Sequence, residues 1–176
     1  MIERIRYDAA SRAFHWLTFL AVSTAFGIAW RMDSLPFSPL RLKLFNWHKW
    51  AGVTVLLLTV LRIGWRFYKP APAPVAMPAW QRIGAKAVHG LLYLALLAQP
   101  ITGWAHSNAA GFPVVWFGVL PLPNIAPKDK AISQAFENAH AVIGTLILVL
   151  LGLHILGALK HHFIDRDDTL RRMLPR

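Results

Sequence analysis

Between Arg12 and Arg31 the chain runs 18 residues, Ala13 to Trp30, without a charged side chain. Near the other end Asn138 to Leu159 runs 22, interrupted by no Asp, Glu, Lys or Arg. At about 1.5 Å per residue such stretches match the roughly 30 Å hydrocarbon slab of a bilayer, where only a helix or a closed barrel satisfies its own backbone. Two further segments fit with weaker boundaries. Asn46 to Phe67 is 22 residues long, with Lys49 and Arg62 placed to snorkel. The segment from Trp80 carries no charged residue between Ala87 and Pro127, and Gly111 and Pro113 end its helical pattern near His106.

The expected architecture is therefore all-α: an integral-membrane four-helix bundle filling one domain, residues 1–176. Its helices are predicted at about 13–31, 46–67, 80–106 and 134–162. Composition agrees, since 56% hydrophobic against 15% charged residues leaves too little polar surface for an ordinary soluble fold. Lys69 to Ala79 reads K-P-A-P-A-P-V-A-M-P-A, an extended tether between the second and third helices. The Met32–Phe45 and Ser107–Ile132 connections lie on the opposite side. The first apolar run lacks a small-residue cleavage site at W-R-M-D and is expected to stay as an anchor.

Of 19 Lys and Arg, 13 fall on the side of the termini (Arg4 and Arg176 among them) and 6 on the other: Arg31, Arg41, Lys43, Lys49, Lys128 and Lys130. The positive-inside rule then makes both termini cytoplasmic. Trp16, Trp65 and Trp80 fall at the inner boundary; Trp30, Trp47, Trp50, Trp104 and Trp116 fall at the outer one. This topology accounts for most of the +11 net charge, so no nucleic-acid partner is expected.

With no cysteine, disulfides, iron–sulfur clusters and covalent haem attachment are excluded, and the 8 histidines become the candidate ligands. His140 and His154 are 14 residues apart, about 40° short of four full circles, so they share one helix face about 21 Å apart in depth. His48 begins the second helix at the outer level and His15 the first at the inner level. The pairs His48 with His140 and His15 with His154 suit bis-histidine haem at two depths of a bundle. Gly52 and Gly144, each four residues after an outer histidine, leave side-chain-free spots where a porphyrin ring fits; close helix packing is the other use of such glycines.

Competing metal chemistry fits less well. Glu137 with His140 forms one E-x-x-H, but no second acidic residue occurs in any span, which excludes a di-iron site and disfavours a proton-coupled carrier. Zinc needs ligands converging at one depth. Alternatives stay open at the inner level: His161 lies seven residues beyond His154 on nearly the same face, and His89 is at inner depth as a ligand or quinone contact. Arg62 is a candidate partner for a haem propionate or polar substrate, or a snorkelling cation. His106 and His162 read as interfacial.

The motifs S-R-A-F-H-W (Ser11–Trp16), N-W-H-K-W-A-G (Asn46–Gly52), N-A-H-A-V-I-G (Asn138–Gly144), G-L-H-I-L-G-A-L-K-H-H (Gly152–His162) and D-D-T-L-R-R-M-L-P-R (Asp167–Arg176) resemble the bacterial cytochrome b561 family. That family is related to the cytochrome b subunits of nickel–iron hydrogenases and formate dehydrogenases. The resemblance runs essentially end to end. It implies an inner-membrane, multi-pass cytochrome with two haems b, His15 and His154 holding the cytoplasmic one and His48 and His140 the periplasmic one.

It further implies electron transfer from the periplasmic face to ubiquinone near the cytoplasmic haem, with superoxide as one candidate donor. Arg41, Lys43, Lys49, Lys128 and Lys130 are candidate residues for steering that anion, on an outer face whose 6 basic residues outnumber its 3 acidic ones (Asp33, Asp129, Glu137). The apolar Ser107–Ile132 connection stands as a candidate cover over the outer haem. Two other classes stay open: a haem-bearing anchor for a periplasmic dehydrogenase or hydrogenase, and a haem-free structural membrane protein. Small residues on several helix faces leave a homodimer open as well.

Overall fold

The computed structural model describes residues 6–174; Arg4 and Arg176, counted above with the inner charges, lie outside the described residues. Four long helices follow in order: α1 (Ala9–Asp33), α2 (Pro39–Tyr68), α3 (Ala79–Ala109) and α4 (Lys130–Phe163). A two-residue antiparallel pair, β1 (Val115–Trp116) and β2 (Leu120–Pro121), interrupts the α3–α4 connection. Three helices, α1, α2 and α4, are long and apolar enough to cross a membrane. α3 is of similar length, 31 residues, but its polar side chains dilute its apolar character.

Side-chain caps explain where α1, α2 and α4 begin, while α3 follows Pro78 without one. Asp8 accepts from the Ser11 N–H, Ser38 from Arg41 and Asp129 from Ile132, so each supplies an acceptor to an otherwise unpaired first-turn donor. The Ser38 cap followed by Pro39 starts α2 seven residues before the predicted Asn46. This corrects the Met32–Phe45 connection: much of it is helix, and Arg41 and Lys43 stand on the first turns of α2. A search for uncharged runs finds the lipid-facing part of a helix and misses a charged extension. α3 ends in a Schellman motif. Gly111, at φ +89°, donates to the Asn108 carbonyl, and Phe112 donates to that of Ser107.

Two helical hairpins, α1–α2 and α3–α4, lie side by side and meet along α2 and α3. Among the described residues neither α1 nor α2 approaches α4 closely with its backbone. The buried core comprises Val22, Val55, Ala95, Leu96 and Ile147. Val22 follows His15 by seven residues, Val55 follows His48 by seven, and Ile147 stands midway between His140 and His154. Close packing therefore sits between the two histidine depths. In lipid, where association depends on such van der Waals contact, this layer joins the hairpins. Thr18 and Thr59, both buried here, satisfy their hydroxyls on the carbonyls of Phe14 and Val55.

The outer connection is tied to α2. The indole of Trp50 donates to the Val115 carbonyl at 2.7 Å, Lys49 to that of Pro113 at 3.2 Å, and Trp116 to the Thr54 hydroxyl at 3.3 Å. Phe117 and Gly118, at φ 50° and 73°, turn the β1–β2 hairpin.

Candidate functional site

The seam beside α4 brings imidazoles together at two depths. At the outer level the rings of His48 on α2 and His140 on α4 are 6.1 Å apart between centroids and inclined by 82°. At the inner level His15 on α1 and His154 on α4 are 6.0 Å apart and inclined by 84°. All four are partly buried. A third imidazole, His89 on α3, approaches His154 from within the same hairpin, its ring 5.2 Å away and exposed.

Hydrogen bonds set the tautomers of the outer pair. His48 Nδ1 lies 3.0 Å from the Ala25 carbonyl, and a carbonyl can only accept, so the proton is on Nδ1 and the lone pair is on Nε2. His140 repeats the pattern, with Nδ1 2.9 Å from the Gln99 carbonyl. Its Nε2 faces the Gln99 side-chain amide at 3.1 Å, while Gln99 Oε1 is buried without a partner. His48 thus has the carbonyl-anchored Nδ1 and outward Nε2 lone pair that metal-ligating histidines use, whereas the Nε2 lone pair of His140 is held by the Gln99 amide, which would have to turn away for a metal to bind there.

The spacing fits one metal between two rings. Metal–imidazole nitrogen bonds run about 2 Å, which puts the centroids of two opposed rings roughly 6 Å apart. Both pairs have that separation, and at both the backbones stand apart, as a flat macrocycle requires. Gly52, expected beside the outer site, has no atom within 4 Å of where a Cβ would stand. Gly144 differs: it is buried, and the space over it is taken by Gln99 Nε2 at 3.2 Å.

Arg62 enters the inner level from α2, its guanidinium 5.3 Å from the centroid of the Tyr93 ring on α3. With Tyr7, Ser11, Trp65, Arg66 and Met173 these residues line a small pocket at the inner end. His161 is drawn away from the seam. Its Nδ1 lies 2.6 Å from Asp167 and 3.2 Å from Asp165, while Lys160 also holds Asp165 at 2.6 Å. His106 pairs with Ser133 and His162 packs on Phe163.

The candidate steering residues divide. Arg41 and Lys43 lie over Phe45 and Trp47, at 5.7 and 5.0 Å from the ring centroids. Lys49 is committed to the Pro113 carbonyl, Lys128 folds over Gly111, and Lys130 is exposed at the start of α4. Sequence reasoning missed Ala25, Gln99 and Gly103. The available signal was Gln99–Pro100, an amide beside a helix-interior proline in an apolar segment. Proline removes an N–H from the α3 ladder at the turn where His140 docks.

Helices of membrane-crossing length, with imidazole pairs facing one another across a seam, define an integral-membrane protein of the b-type cytochrome class. Comparison with known proteins gives the family: residues 6–176 match Prokaryotic cytochrome b561, and the chain belongs to that family of transmembrane electron-transfer haem proteins. It is 35% identical to Cytochrome b561 homolog 2 of Escherichia coli (strain K12), over 96% of this chain and 91% of the relative. It is 31% identical to Cytochrome b561 homolog 1 of the same organism, over 97% and 98%. A protein of Yersinia pestis named Probable superoxide oxidase CybB is 29% identical over 97% of each chain. The chain is thus a bacterial membrane protein for electron transport, and the family implies b-type haem.

Proposed function

We propose that the chain spans the inner membrane four times with both termini cytoplasmic, binds two haems b, and carries electrons from the periplasmic face to ubiquinone on the cytoplasmic side. His48 and His140 hold the outer haem; His15 and His154 hold the inner one. The observation carrying this reading is the repeated ring separation of 6.1 and 6.0 Å across a seam that the backbones leave open. When bound, the iron porphyrins supply reversible one-electron chemistry.

The protein's own residues supply position and selectivity. Carbonyls of Ala25 and Gln99 orient the outer imidazoles. Arg62 offers a cation to a propionate or quinone oxygen at the inner level, and His89 lines the same space. Superoxide is the donor that the outer face favours, since Arg41, Lys43, Lys49, Lys128 and Lys130 attract a small anion. The reaction balances as two superoxide anions, one quinone and two protons giving two O2 and one quinol. The decisive experiment pulses superoxide onto purified protein with and without ubiquinone. Haem reduction under the pulse, followed by quinone-dependent reoxidation, supports the reading; an unchanged haem spectrum rejects superoxide as donor.

A second reading makes the chain the haem-bearing anchor of a periplasmic dehydrogenase or hydrogenase. It rests on the apolar outer connection, where Phe112, Phe117 and Val119 are 63%, 58% and 83% exposed. Copurification of a large periplasmic subunit supports it.

A further inference from the structure

The inner histidines come from α1 and α4, whose backbones do not meet. What joins the two halves at this end is the chain beyond α4. Residues 164–174 leave the helix at Phe163, turn at Arg166 with φ 54°, and fold back across the cytoplasmic end of the bundle. Asp167 fixes the turn, accepting from the Thr169 N–H at 2.8 Å and pairing with His161. Arg172 then donates to the Ala73 carbonyl in the proline-rich tether at 2.8 Å.

The segment finishes on α1. The indole N–H of Trp16 donates to the Met173 carbonyl at 2.9 Å, and Arg12 donates to that of Leu174 at 3.2 Å. Among the described residues, these are the hydrogen bonds from α1 to the α4 half. Trp16 is the neighbour of His15 in the chain, and the two rings are 5.1 Å apart. Met173 also walls the small pocket into which Arg62 reaches. A single strand of backbone thus bridges the seam beside the inner imidazole pair.

We propose that residues 164–174 form a clasp that retains the inner haem, with Trp16 as the positioning residue that latches it. The proposal rests on the two-haem reading above. The inner ring lies between helices that do not hold each other, so its escape requires the seam to widen. The clasp opposes widening through acceptors on its own backbone and donors on α1 and on the clasp. The outer pair has a different tie, the β1–β2 connection bound to α2, and does not depend on this segment.

The test measures haem transfer from purified holoprotein to excess apomyoglobin. His140→Ala provides a chain carrying the inner haem alone, and His154→Ala one carrying the outer haem alone. Into each goes either a stop after Asp165 or, where truncation impairs folding, the pair Trp16→Phe and Arg172→Gln, which removes the indole and guanidinium donors while keeping an aromatic and a polar side chain. One such hydrogen bond shifts an equilibrium by roughly two- to tenfold, so the inner haem should leave about tenfold faster while the outer haem leaves at its original rate. An unchanged inner rate, or equal acceleration of both haems, overturns the clasp. Unmodified protein with fewer than two haems instead overturns the reading on which it rests.

Discussion

Gly103 on α3 lies so close beneath His140 that a β-carbon there would stand 2.8 Å from the imidazole Cε1 and 3.1 Å from Nδ1. The ring cannot retreat without leaving the Gln99 carbonyl that fixes its tautomer. Gly103→Ala should therefore displace His140 and empty or weaken the outer haem site, leaving the inner one filled. Haem content by pyridine haemochrome should fall from two toward one per chain. Gly52→Ala, where no atom lies within 4 Å, tests whether that space belongs to the ring: it should fold normally and lower outer-haem affinity by roughly tenfold, about 1.4 kcal/mol.

The inner ligand is tested by comparing two histidines on one helix. His154 faces His15, whereas His161 is held by Asp165 and Asp167. His154→Ala should remove one haem from the spectrum. His161→Ala should retain both, and loss of the inner haem in that variant would reassign the ligand.

Acidity should loosen the inner end. Burial works against the charged form of Asp8, but donation from Ser11 and from the Trp65 indole outweighs it and holds the carboxyl below its ordinary range. Burial likewise opposes the charge on Asp167, and Thr169 and His161 outweigh it. Carboxyls depressed by folding add stability that is fully present above their unfolded pKa, about 4, and is lost as pH falls through the lower folded value. Thermal unfolding in detergent should be steady between pH 5 and 7 as far as these two groups contribute, and should fall below about pH 4. The Asp8→Asn, Asp167→Asn double variant should show a shallower fall.

Attraction of an anion to the outer face should be visible in salt. The Debye length shrinks from about 30 Å at 0.01 M to about 3 Å at 1 M, so superoxide-driven haem reduction should slow severalfold over that range. Lys43→Gln with Lys130→Gln should lower the low-salt rate and flatten the dependence. Stopped-flow kinetics at several ionic strengths measures both.

The helices and the four paired histidines were legible because each follows from a one-dimensional rule. Charge-free length marks what lipid accepts, and fourteen-residue spacing returns His154 to the face of His140. The early start of α2 was written in Ser38–Pro39, a capping signal that the search for uncharged runs passed over. The Gln99 and Gly103 contacts were not readable, since they depend on how α3 rotates against α4. The course of residues 164–174 was hidden for a related reason: its latch uses backbone carbonyls, which every residue possesses.

The tether from Lys69 to Pro78 and the seam between α1 and α4 divide the molecule into two helical hairpins. His15 and His48 belong to the first, His140 and His154 to the second. On the proposed ligand assignment each pair takes one imidazole from either half, so haem capture would await the synthesis of α4. On that proposal maturation becomes a checkpoint: a polypeptide that ends before α4 would lack one imidazole of each pair and should acquire neither haem.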